Sequence, residues 1–97
     1  MINVQVRGES GTVEARAKQG VACGPELAAL DQSEFPMLGH LLPCADTVFN
    51  SRQVVTLVAE VSRLPPGVVT DVFSRELLDL CQTVLDGHHL YLWFLGD

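Results

Sequence analysis

Ninety-seven residues make one domain, 1–97, long enough to bury roughly 65% of its unfolded surface in a single core without staples. An apolar fraction of 47% excludes a disordered chain, and no stretch approaches the roughly 18 uncharged apolar residues of a membrane-spanning helix. Twelve Asp and Glu against six Lys and Arg give a net charge of −6, a poor match for nucleic-acid phosphates that suits basic partners or plain solubility.

Ile2, Val4 and Val6 alternate with Asn3, Gln5 and Arg7, which predicts a half-buried strand over 2–7. Gly8-Glu9-Ser10-Gly11 is a turn cluster. Val13, Ala15 and Ala17 then alternate with Glu14, Arg16 and Lys18, a second strand over 13–18 and the other arm of a hairpin. The charges on its polar face read as solvated. Pro25 suits the first position of a short helix, with Glu26 favourable beside its N-terminus. Phe35 to Leu42 is apolar with weak helical spacing, a turn or two packed under a loop. Residues 43–47 read as irregular.

Asn50 and Gln53 form a capping box, and Phe49 and Val54 are placed for a hydrophobic staple, so a helix is predicted over 50–63. Val54, Val55, Leu57, Val58, Val61 and Leu64 make its apolar stripe. The β-branched valines lower intrinsic propensity, so tertiary burial must hold it. A second helix is predicted over 70–86, opened by Thr70 and Asp71, with Phe73, Leu77, Leu80, Cys81 and Val84 at helical spacing. Gly87 reads as a left-handed helix stop. The short connection between the two helices favours antiparallel packing.

Leu90 to Leu95 is the longest apolar run and holds the only Trp and the only Tyr. It predicts a strand covered on both faces, in mid-sheet, with the two N-terminal strands as neighbours. The fold class is α+β: a small antiparallel-containing sheet, made of the N-terminal hairpin and the C-terminal strand, covered by an antiparallel helix pair.

Little in the sequence carries chemistry. His88 and His89 are adjacent and point to opposite sides of a strand start, so they do not chelate one metal together. His40 and Cys44 stand four apart, a spacing that shares one face of a helix, but Pro43 argues against a helix there. Cys44, Asp46 and Thr47 precede the best-capped helix in a loop, where binding residues often gather; Asp46 equally serves as a turn cap. The acidic residues show no metal-loop or paired-acid spacing, and no Gly-rich phosphate loop or Gly-x-Ser-x-Gly occurs. Cys23, Cys44 and Cys81 form no Cys-x-x-Cys pair and read as free, core or half-buried thiols of a reducing cytoplasm. No catalytic residue, metal or cofactor is assigned. Asp97 adds its side chain to an α-carboxylate, a dianion that anchors on Arg7 or Arg16 or meets a partner.

Asp46-Thr47-Val48-Phe49-Asn50 and His89 to Asp97 resemble stretches of short proteins of high-GC Gram-positive bacteria, a group with no known activity. The resemblance covers about a fifth of the chain and brings no functional residue with it. It implies a bacterial, cytoplasmic setting. Members tend to carry Tyr-Gly where this chain has Cys44-Ala45, which counts against a catalytic Cys44.

Size, acidity and the lack of a catalytic motif point to a non-enzymatic protein-binding or regulatory module, monomeric or homodimeric, with no nucleic-acid or membrane partner. One variant is an immunity- or antitoxin-like protein that neutralises a basic partner. The alternative from another class is a small enzyme or metal-dependent protein using His40, Cys44 and Asp46. The binding candidates are therefore His40, Cys44, Asp46, Thr47 and Asp97.

Overall fold

The computed structural model describes residues 1–22 and 24–96; Cys23 and Asp97 lie outside the described residues. The alternation at the start of the chain becomes β1 (Ile2–Gly8), with Ile2, Val4 and Val6 buried. Backbone bonds across Gly8–Thr12 close the turn into β2 (Val13–Arg16), which pairs antiparallel with β1 through a register shift at Val6/Arg7. The helix predicted at Pro25 is α1 (Pro25–Ala28), and the 35–42 stretch holds one 3-10 turn, Leu38–His40.

β3 (Asp46–Phe49) follows, then α2 (Ser51–Ser62), α3 (Asp71–Asp86) and β4 (Leu90–Gly96). The capping box forms as expected: Asn50 Oδ1 accepts from the Gln53 amide and Gln53 Oε1 from the Asn50 amide, both at 2.9 Å. Thr70 Oγ1 accepts from the Phe73 amide and caps α3. The whole predicted α3 stripe, Phe73, Leu77, Leu80, Cys81 and Val84, is buried.

The described strands form one antiparallel sheet in the order β2-β1-β4-β3. The C-terminal strand is central, as expected, but two expectations about it need correcting. Its neighbours are β1 and β3, not both N-terminal strands. Asp46 and Thr47 accordingly belong to a strand, not to a loop over 43–47. It is also covered on one face only. Leu92 and Phe94 join Ile2, Val4, Val6 and Phe49 beneath the helices, in one core cluster. Phe49 meets Phe94 edge-on with ring centroids 5.6 Å apart, a favoured aromatic geometry. Tyr91, Trp93 and Leu95 point the other way, where no helix lies, and are half-buried.

Two further corrections are local. Val55, read as part of the α2 stripe, is exposed, because its position lies on the outer edge of that stripe. Gly87 ends α3 with an extended backbone (φ −95°, ψ −176°), not a left-handed one; the left-handed residue is His89 at φ 56°. The reversal from α3 into β4 is thus made two residues later than the glycine.

Among the described residues one charged side chain is fully buried. Glu60 sits on α2 among the core residues and accepts from the amides of Met37 (3.0 Å, Oε2) and Leu38 (2.9 Å, Oε1). A carboxylate inside a core is tolerated when its oxygens are hydrogen-bonded. Here it satisfies the amides that open the 3-10 turn, whose own helix has no partner for them. Arg63, one turn on, donates to the Glu34 carbonyl and lies 5.2 Å over the Phe35 ring. The irregular segment 31–40 is therefore fastened by Glu60 within α2 and by Arg63 at the C-cap of that helix. Further along the chain, just before β3, Ala45 O accepts from the Gly96 amide. A Cβ on Gly96 would lie 2.5 Å from the Leu42 carbonyl oxygen, so glycine is what lets the chain run this close to the end of β4.

Candidate functional site

The His40, Cys44 and Asp46 group does not assemble. His40 ends the 3-10 turn, and its Nδ1 donates to the Pro36 carbonyl at 2.6 Å, a carbonyl being only an acceptor. Cys44 is exposed in the turn after Pro43. Asp46 and Thr47 are consecutive strand residues and face opposite ways. Asp46 is exposed, opposite Leu95 on the open face, and Thr47 lies opposite Phe94 on the covered one. Among the described residues no three His, Cys, Asp or Glu side chains come together closely enough to hold a metal ion. Asp97 falls outside the described residues, and Arg7, one of its expected anchors, is engaged elsewhere.

Other titratable groups are structural. Asp31 Oδ1 accepts from the amide and hydroxyl of Ser33, both at 2.8 Å, and these bonds hold its carboxyl below the usual carboxylate range. Burial pushes the Cys81 thiol up to about 12, which makes it a packing group rather than a nucleophile. Both Glu60 oxygens face backbone amides.

The groups that do converge lie on the open face of the sheet. Across its middle runs the row Arg16, Gln5, Trp93, Val48, one residue from each strand in register. Arg7 Cζ stands 4.6 Å from the centroid of the Trp93 ring and Arg7 Nε donates to Gln5 Oε1 at 2.9 Å. This stack fixes the indole in place. Its Nε1 is buried and, among the described residues, lacks an acceptor. Such an orphaned donor costs about 1–3 kcal/mol.

Beside the indole lies an open depression of about 460 Å³, bounded by the hairpin turn 8–11 and by Val48, Tyr91 and Trp93. Glu9 is the only charged residue on its wall. One of its oxygens, Oε1, takes the Tyr91 hydroxyl at 3.4 Å and His89 Nδ1 at 3.1 Å. The other has no described partner. The depression therefore has an aromatic floor and, at its lip, a carboxylate with one oxygen free of described partners beside the Ser10 hydroxyl.

Sequence reasoning missed this site because aromatic residues in a continuous apolar run are read as core. The period-2 rule did hold the signal: Tyr91, Trp93 and Leu95 share one face, and Asn3, Gln5 and Arg7, which pair with them, are polar. No helix among the described residues is long and apolar enough to cross a membrane. No protein-family model, curated protein sequence or solved structure matches the chain.

Proposed function

We propose that this domain is a non-enzymatic protein-binding module of the bacterial cytoplasm, and that its docking surface is the open face of the sheet. The observation that supports this reading is the placement of Tyr91, Trp93 and Leu95 at three successive outward positions of the central strand, with Val48 beside them at 41% exposure. A central strand normally gives such positions polar residues when one face meets water. Apolar and aromatic residues there favour a partner, and Trp and Tyr are the residue types richest at interface centres.

Exposed aromatics on a sheet also stack nucleic-acid bases in other proteins. A net charge of −6 opposes that use, because phosphate neutralisation supplies most of such affinity. The enzyme reading loses its support with the dispersal of His40, Cys44 and Asp46.

The test is a photo-crosslinking residue placed at Val48, with the same residue at exposed Val55 on α2 as control, in cells of the native host. The Val48 position is expected to trap one protein that Val55 does not. That protein, purified, should bind the domain in calorimetry, and Val48→Asp should weaken binding by about tenfold or more. Equal trapping at both positions, or binding unaffected by Val48→Asp, would refute the reading.

A further inference from the structure

We infer that the depression at Tyr91, Trp93 and Glu9 receives a cationic side chain, Lys or Arg, from a short basic segment of the partner. This rests on the docking face proposed above and specifies what it recognises.

The size of the face selects a small occupant. Strands spaced about 4.8 Å apart and at most seven residues long give a face of about 450 Å² in projection. Stable globular interfaces, including those of homodimers, bury about 800 Å² on each partner or more. β2 and β3 have only four residues each, which shortens both flanks further. A second copy laid on this sheet would form a marginal contact, whereas an extended segment would fill it.

The chemistry of the wall selects its charge. Aromatic faces attract cations through the ring quadrupole. The molecule already shows this preference, since the Arg7 guanidinium rests on the Trp93 ring. Glu9 adds a full negative charge at the lip. Its Oε1 is held by Tyr91 and His89, so the carboxylate is oriented before any ligand arrives, and Oε2 is left to accept from an ammonium or guanidinium. The basic groups nearby are Arg7, which lies against the indole and is bonded to the neutral Gln5 amide, His89 on Glu9 Oε1, which leaves Oε2 open, and Arg16 on β2, two strands away from β4. Asp46, on the neighbouring strand β3, adds to the attraction. The net charge of −6 steers a basic segment inward from a distance.

Trp93 is the only tryptophan, so its fluorescence reports on this site alone. The probe is a set of ten-residue synthetic peptides that differ at two positions: arginine, lysine, the neutral isostere citrulline, or glutamate. The arginine and lysine peptides are expected to shift Trp93 emission saturably, and citrulline to bind about fivefold or more weakly. Glu9→Gln should remove most of that preference, while Glu26→Gln, an exposed acid on α1, should not. Binding should also weaken as salt rises. Both substitutions fall on exposed residues, and unchanged circular dichroism melts would confirm that the variants fold. Equal binding of the citrulline peptide, an unaffected Glu9→Gln variant, or no saturable shift below about 10 mM overturns the inference. If the Val48 crosslink survives that result, the docking face stands without its cation site. If the crosslink fails as well, both fall together.

Discussion

The two faces of β4 are written in the same alphabet and used differently. Leu92 and Phe94 are 0% and 2% exposed, locked against both helices, while Tyr91, Trp93 and Leu95 stand one residue away on the side without helices. Hydrophobicity alone does not separate them. What separates them is the partner each face has within the chain: the covered face meets two amphipathic helices, and the open face meets a single Arg7 stack and a hairpin turn. An apolar residue is therefore evidence of burial only when something in the fold is available to bury it.

The contrast is open to direct test by melting curves. Deleting residues 92–97 removes both faces at once and strips hydrogen-bond partners from β1 and β3, so it should abolish cooperative unfolding. Phe94→Ala on the covered face should lower stability by about 3–5 kcal/mol. Trp93→Ala, which removes a larger side chain but a half-buried one, should cost clearly less; an equal loss would mean that the open face is core after all. Glu60→Ala should cost about 1–3 kcal/mol for each buried amide it orphans, and Glu60→Gln less, because the amide oxygen still accepts.

Thiol chemistry sharpens the comparison at the smallest scale. Cys44 should be alkylated in the folded protein and Cys81 only after unfolding, as peptide mass mapping would show. The sign of the pH effect follows from burial, which raises the Cys81 value from 9.0 to about 12 in the folded chain. The neutral thiol is favoured in the fold, so the associated stability is present below pH 9.0 and drains away as pH rises towards about 12. A Cys81→Ala variant should lose that alkaline sensitivity.

Much of this architecture is legible in the residues. The alternation of Ile2, Val4 and Val6, the Asn50–Gln53 box and the Phe73 to Val84 stripe each carry a local period that the structure repeats. β3 is not legible, since four residues hold too little alternation and its pairing with β4 joins residues more than forty apart in the chain. Glu60 is legible only in hindsight. It falls three after Leu57 and four before Leu64, on the apolar stripe of α2, and a lone carboxylate at such a position asks for a buried partner. The site on the open face was hidden for a different reason. Its aromatics satisfied the expectation of a core, and only the polar residues opposite them on β1 marked the face as outward.

His89 carries one more consequence. It is the only non-glycine residue at positive φ among the described residues, and its ring also holds Glu9. A left-handed backbone costs an ordinary residue about 1 kcal/mol that glycine avoids. His89→Gly should thus leave the melting midpoint unchanged or raise it, while it frees the carboxylate at the lip of the depression. Selection for robustness alone would drift towards glycine here, and a screen scored on heat resistance would count the loss of recognition as an improvement.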